Sequence, residues 1–432
     1  MVNYVRRPIS LFFAATLTSI ACSSDPSTDG TSADGGDQTV HGDAGTYADG
    51  RAKPGTPGAD GSTGDDSTGD GATTNPNPDS GPPPAGVSSA ADLARKLRGK
   101  PNFMVGLGNT AGQSDKLGVA IDLDYNYLNS GWISYNSDAD GDAAYATVLA
   151  ADAASHGFTP AFIFYEMAGQ GEGAEPGVAN DATFMTGYWS DLKKLYTRLG
   201  KFGKPAAVLI EPDFFGFTFL KSAHDGSAPA KISINADCGG LPDTVASIGR
   251  CFRMVRDKYA PLTALGYDIS AWTGTNAELV AYYKALGASE ADFIGFSPLD
   301  RDAGCYEAKV ESDCQRDATG MYWDETNQAH PNFHDHFDLV KAMTTGIGKP
   351  ALWWQTPLGV PSATSGGTKG HYRDNRVHYF FGHIAEMVAA GGAGMMFGSG
   401  TYPPEQQTVI TTDNGQFKNA ATSYLAAPTA LP

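Results

Sequence analysis

Gly203-Lys204-Pro205-Ala206-Ala207-Val208-Leu209-Ile210-Glu211-Pro212-Asp213 is the stretch that decides the fold. Ahead of it, Trp189, Leu192, Leu195, Tyr196 and Leu199 recur at the helical period and share one face. Gly203 stands where a helix stops, Lys204-Pro205 makes a short link, and Ala206–Glu211 is an apolar run of strand length. The same unit recurs along the chain. Gly-Lys-Pro occurs three times in this role, at 99–101, 203–205 and 348–350, ahead of Phe103–Leu107, Ala206–Glu211 and Ala351–Gln355. Gly157-Phe158-Thr159-Pro160 leads into Ala161–Glu166, Gly266 into Tyr267–Trp272, Gly287 into Asp292–Ser297 and Gly392 into Ala393–Gly398. Val119–Tyr125 brings the predicted strands to eight, and Val377, Phe380, Phe381, Ile384 and Val388 mark another one-faced helix. Strands alternating with helices in this number predict an α/β fold, a TIM-like (β/α)8 barrel over residues 87–432. The link between the first two strands is short and polar, so a distorted barrel is expected. An open doubly wound sheet is the rival; no Gly-x-Gly-x-x-Gly follows the first strand to favour it.

The 432 residues carry a net charge of −18, which argues against nucleic acid as a partner because phosphate binding needs a basic face. Residues 23–86 hold 14 Gly, 8 Pro and 11 Asp and no Leu, Ile, Phe, Met or Trp. Such a segment has nothing to bury against the entropy of ordering, so it is read as a disordered, self-repelling tether. Its Gly spacing is too irregular for collagen. Residues 1–22 read as an export signal, with Arg6 and Arg7 before the mostly apolar Ile9–Ile20.

Leu17-Thr18-Ser19-Ile20-Ala21-Cys22 resembles a bacterial lipoprotein signal. The resemblance implies cleavage before Cys22, lipidation of its thiol, and an extracytoplasmic domain anchored to a bacterial membrane through acyl chains alone. Four cysteines then remain in an oxidising compartment, Cys238, Cys251, Cys305 and Cys314. Three connectivities are open to them, and proximity in the chain favours Cys238–Cys251 and Cys305–Cys314. Neither pair has the Cys-x-x-Cys spacing of a metal site.

A barrel of this kind works at the C-terminal ends of its strands. There the sequence places Gly108-Asn109, Asp122-Leu123-Asp124-Tyr125, Tyr165-Glu166, Glu211-Pro212-Asp213, Ala271-Trp272, Ser297 to Asp302, Trp353-Trp354-Gln355 and Phe397-Gly398-Ser399. Converging carboxylates shift one another's proton affinity, which separates an acid from a base, and aromatic rings suit the apolar face of a sugar. Glu211 and Asp213, at i and i+2 of an extended strand, are expected on one face, with Glu166 about 5 Å away on the next strand. Glu211 is the expected general acid or base, Glu166 or Asp213 its partner, and Asp122, Asp124 and Asp300 second candidates. Trp132, Trp272, Trp353 and Trp354 are the expected sugar platforms, with Tyr125, Tyr165 and Gln355 beside them. Gly370-His371-Tyr372-Arg373-Asp374-Asn375-Arg376 crowds donors and acceptors into one loop, with His371 and Arg373 as candidates for hydroxyl recognition. The alternative for the carboxylates is an ion-pair network with Arg301, Arg373 or Arg376.

Val208-Leu209-Ile210-Glu211-Pro212-Asp213 resembles the Glu-Pro-Asp strand of the family-six cellulases, secreted enzymes with a distorted barrel. Trp354-Gln355-Thr356-Pro357-Leu358-Gly359 is loosely similar to their late Pro-Gly loop. The resemblance implies that Asp213 matches their active-site aspartate. Glu166 stands where they carry Asp-Arg-Asp-Cys. Glu211-Pro212 is also similar to the acid/base position of the retaining Glu/Glu barrel glycosidases, with Ile210 in place of their Asn and Gln355 near the place of their nucleophile. The expectation is therefore a monomeric, cofactor-free glycoside hydrolase acting on a polysaccharide or oligosaccharide. A barrel that binds glycan or cell wall without cleaving it is the second reading, and a structural lipoprotein domain the third.

Other motifs carry less. Asn136 to Gly141 resembles the start of a calcium loop, but Thr147 stands where its Glu is due. His334 and His336 lie about 200° apart on a helix and cannot share a metal. No Gly-x-Ser-x-Gly and no phosphate-binding loop is present.

Overall fold

The computed structural model describes residues 87–108, 112–171, 173–298, 325–328, 330, 332–358, 376–398, 409–411 and 413–432. The expected signal, tether and lipid site at Cys22 lie outside them, as do Asp300, Arg301, Cys305, Cys314, His371 and Arg373.

The elements run α1 (Ala90–Arg98), β1 (Met104–Gly108), α2 (Gln113–Leu117), β2 (Leu123–Asn129), α3 (Ala144–Ser155) and β3 (Thr159–Tyr165). Then come α4 (Glu175–Val178), α5 (Ala182–Phe202), β4 (Ala206–Ile210), α6 (Phe214–Lys221), α7 (Ile248–Tyr259), β5 (Thr263–Asp268) and α8 (Asn276–Ala285). The chain ends with β6 (Phe293–Phe296), α9 (Phe333–Ile347), β7 (Ala351–Pro357), α10 (Arg376–Gly382), α11 (Ile384–Ala389), β8 (Gly392–Gly398) and α12 (Gln416–Ala426). All neighbouring strands are parallel, and β1 pairs with β8, Met104 opposite Gly394 and Leu107 opposite Phe397. The sheet is thus a closed eight-stranded barrel, and the open doubly wound alternative is excluded. The distortion lies where the sequence placed it: α2, between β1 and β2, is a single short helix of 5 residues.

The Gly-Lys-Pro repeat has a physical meaning. Gly99, Gly203 and Gly348 each follow a helix with φ of 70°, 65° and 78°, and each turns its N–H back onto the last turn, at Arg95, Leu199 and Thr344. Glycine takes this left-handed stop without the Cβ clash, and Pro then commits the chain to extended backbone.

Two strands are displaced from their predicted positions. β5 spans Thr263–Asp268 rather than 267–272, because Gly266 is not a helix stop but lies inside the strand. A Cβ there would come within 2.2 Å of the Phe293 ring. β2 spans Leu123–Asn129 rather than 119–125. These shifts change which side chains reach the mouth.

Inside the barrel, Ala161, Ile163, Ala207, Leu209, Phe293, Leu352, Trp354 and Met396 enclose a residual space of about 10 Å³, room for one water at most. The interior is a packed core and not a pore. Tyr125 enters it because Gly108 and Gly398 stand beside its ring, where a Cβ would lie 2.8 Å and 2.2 Å from its atoms. The Cys238–Cys251 disulfide predicted from proximity is formed, with the Cα atoms 5.2 Å apart.

Candidate active site

At the C-terminal rim, two hydrogen bonds tie side chains of β3, β5 and β7 and of the turn after β4 into two pairs. Tyr165, the last residue of β3, donates its hydroxyl to Asp213 Oδ2 at 3.0 Å. Trp354 of β7 donates Nε1 to Asp268 Oδ1, the last residue of β5, at 2.7 Å. Burial, and then the Asp213 charge, push the Asp268 carboxyl up to about 8, against the pull of the Trp354 indole. Asp268, itself 5% exposed, therefore holds a proton near neutral pH within reach of the charge of a second, half-buried carboxyl. Burial and the same Asp213 charge drive the Tyr165 phenol far above its ordinary value, so it stays a donor. Tyr127 packs edge-on against Trp354, with centroids 6.0 Å apart. Ser297 donates to Gln355 at 3.2 Å on the far side of the rim.

Backbone strain marks the same rim. Glu211, Asp213 and Gln355 have φ of 39°, 66° and 48°. For residues with a Cβ each such position costs about 1–2 kcal/mol, and strain of this kind gathers where function constrains the chain. Gln355 sits within a bulge between Trp353 and Thr356 of β7.

Glu211 corrects the expectation drawn from strand alternation. β4 ends at Ile210, and the positive φ of Glu211 takes its side chain out of the alternation that was to aim it at the mouth with Asp213. The carboxyl is 1% exposed. It accepts the backbone N–H groups of Glu166, at 3.1 Å, and Met167, at 3.3 Å. Burial pushes it up to about 8, although both amides favour its charged form. Glu166 is sealed too, at 6% exposed, and accepts the indole N–H of Trp132. Burial, then the charge of Asp191 on α5, push it up to about 9. Both glutamates are buried, as Asp268 is at 5%, but they are spent on donors of the surrounding fold, backbone amides for Glu211 and the Trp132 indole for Glu166.

The remaining predicted residues divide clearly. Asp122 lies before β2, at the opposite end of the barrel, where it takes the Val105 N–H at 3.0 Å and pairs with Arg98 at 3.1 Å. Asp124 faces outward beneath α2, accepts Ser114 Oγ at 2.7 Å and is pushed by burial up to about 7. Trp132 and Trp353 are fully buried and cannot stack on a sugar. Trp353 points to α9, where its indole donates to His336 Nε2 at 2.8 Å. Trp354 is buried as well, and its role at the rim is that of a donor. Trp272 is 54% exposed and packs edge-on against Phe217, whose N–H bonds to the Asp213 carbonyl at 2.9 Å. Arg376 is fully buried at the start of α10. Asp138 of the calcium-like segment is held by Arg198 at 2.7 Å.

Sequence reasoning missed Asp268. The signal was present: Pro261-Leu262 precedes the apolar run 263–267, and reading that run as the strand places Asp268 at its end. Away from the rim, Asp115, Asp152 and His156 bring one potential ligand atom each within 4.8 Å of one another, the one such group among the described residues. His156 Nδ1 there already meets the Asp152 carbonyl at 3.0 Å.

No family model matches this chain, and no curated protein does. Solved structures do. A modular endo-β-1,4-mannanase of glycoside hydrolase family 26 from Cellulomonas fimi aligns over 78% of this chain and 74% of its own, at 11% identity and a TM-score of 0.45. A thermostable xylanase mutant from Cellvibrio japonicus aligns over 74% and 97%, at 13% identity and 0.41. A D-psicose 3-epimerase from Clostridium cellulolyticum aligns over 75% and 97%, at 12% identity and 0.38. Likeness of this size bears on neither substrate nor chemistry, and the barrel is established here by strand pairing.

Proposed function

We propose that this chain is a glycoside hydrolase that cleaves glycosidic bonds in a polysaccharide at the rim formed by Asp213 and Asp268. The observation that carries the reading is geometric: two carboxyls stand at one rim, a half-buried Asp213 held by the Tyr165 hydroxyl and a buried Asp268 held by the Trp354 indole. Glycosidic cleavage needs one carboxyl to protonate the leaving oxygen and a second to act from the other side. Asp268 supplies the proton. Asp213, with Tyr165 holding one of its oxygens, acts as base or nucleophile. Trp272, exposed beside the loop that carries Asp213, offers a face for a sugar ring. No step calls for a metal or a cofactor.

The experiment is reducing-end release from a panel of plant, fungal and bacterial polysaccharides by the full chain and by Asp268→Asn and Asp213→Asn. Release by the wild type that survives Asp268→Asn removes Asp268 as the acid, and no release from any glycan removes the hydrolase reading. Location belongs to the same proposal: a monomer, extracytoplasmic, lipid-anchored at Cys22 and held off the membrane by 23–86. Incorporation of labelled fatty acid in bacterial cells, lost in Cys22→Ala, tests it.

The second reading, glycan binding without cleavage, is favoured by the sealing of Glu166 and Glu211. Glycan retention by both Asp→Asn variants, with no turnover by the wild type, is its signature.

A further inference from the structure

We infer that Glu211 is a positioning residue, whose carboxyl group grips the chain leaving β3 and thereby sets the Tyr165 hydroxyl against Asp213. The inference rests on the proposed role of Asp213. Four hydrogen bonds join the short segment that follows β4 to the end of β3 and the two residues after it. The Glu211 N–H donates to the Phe164 carbonyl at 2.8 Å. One Glu211 carboxylate oxygen takes the Glu166 amide and the other takes the Met167 amide, at 3.1 Å and 3.3 Å. Asp213 Oδ2 then takes the Tyr165 hydroxyl at 3.0 Å.

Tyr165 therefore lies between two fixed points, the Phe164 carbonyl before it and the Glu166 and Met167 amides after it. The Glu-Pro-Asp segment makes this geometry possible. Glu211 and Asp213 both have positive φ, at 39° and 66°, with Pro212 between them. The two carboxyls are thereby put to different uses, one buried on backbone amides and one at the rim. A planar carboxyl that engages two successive amides, one on each oxygen, is a directional clamp, because both contacts fix the same segment at once. Glutamine at this position retains one acceptor oxygen and turns an NH2 group toward the second amide, which breaks half the grip without changing size.

The test is a double-mutant cycle of Glu211→Gln and Tyr165→Phe in the full chain. It is read by the carbon-13 titration of the Asp213 carboxyl and by kcat/KM on whichever glycan the wild type cleaves. If Glu211 acts through Tyr165, each single variant moves the Asp213 midpoint upward by about one pH unit. Each lowers kcat/KM about tenfold or more, and the double variant loses no more than the worse single. Additive losses, or an Asp213 midpoint unmoved in Glu211→Gln, overturn the inference. Should Glu211→Gln not fold, hydrogen exchange of the wild type decides: Glu166 and Met167 amides exchanging as fast as exposed loop amides overturn it, and protection of both supports it. The titration and exchange readouts need no substrate. A chain that cleaves no glycan yet shows the coupled Asp213 shift removes the hydrolase reading and keeps the clamp.

Discussion

The indole of Trp354 on β7 reaches past β6 to donate to the buried carboxyl of Asp268 on β5 at 2.7 Å. Gly295 of β6, which pairs with Asp268, leaves room on the inner face for Leu209, since a Cβ there would lie 2.6 Å from that side chain.

Asp268→Asn is expected to keep the fold and lower kcat by about 10²–10⁴-fold, the usual worth of a positioned general acid. The wild-type pH–rate profile should fall on its alkaline side near pH 8, where Asp268 gives up its proton. Steady-state kinetics from pH 4 to 10 on both proteins checks this; an alkaline limb that persists unchanged in a residually active variant assigns it to another group.

Trp272→Ala should raise KM about tenfold with little change in kcat or Tm, since the ring is exposed and its removal leaves no cavity in the core. Trp132→Ala, by contrast, removes a fully buried ring and the donor to Glu166, and should cost about 3–5 kcal/mol of stability. Isothermal binding and chemical denaturation of the pair separate a sugar platform from a core residue.

Stability should fall as pH rises from about 5 to 9. Glu166, Glu211 and Asp268 have folded pKa values of about 9, 8 and 8, far above the ordinary carboxylate range. Between the two ranges the folded chain holds protons that the unfolded chain has lost. Unfolding therefore releases protons, and base favours it. In the opposite direction, burial works against Asp292, but Arg256 and Lys96 hold it below its ordinary value, so its contribution is lost only as pH falls through that depressed value. The Tm is expected to peak near pH 5 and drop by about 5 °C or more by pH 9. Glu211→Gln, if folded, should flatten this slope; calorimetry across the range would show it, and a Tm that rises toward pH 9 would contradict it.

Loss of the Cys238–Cys251 disulfide, whose cysteines lie 13 positions apart, should cost about 3 kcal/mol by the loop-entropy argument. Cys251→Ala compared with wild type under oxidising and reducing denaturation measures it. The difference should vanish under reduction.

How much of this was legible can be read from particular residues. The three Gly-Lys-Pro units marked helix stops because a left-handed glycine followed by proline has few other uses, and all three precede barrel strands. Gly266 looked the same in one dimension but serves a different purpose, making room for the Phe293 ring on the next strand. That misreading moved the end of β5 by four residues and hid Asp268. Asp124 and Glu211 failed for a related reason: both were assigned to the rim by proximity to a strand end. Only the pairing register shows that Asp124 stands opposite Leu107 and Pro160, well below that rim.

The alternation of helix and strand, and hence the barrel, was determined by the sequence alone, since periodicity and glycine stops are local properties of the chain. The presence of carboxylates and aromatic rings near the strand ends was equally plain. Which of them meet was decided only in three dimensions. Glu211 was turned aside by a positive φ and claimed by two amides just beyond the neighbouring strand, while Asp268, distant in the chain from Asp213, was brought under the charge of Asp213. Burial and Coulomb coupling depend on distance through space, and no spacing along the chain encodes them.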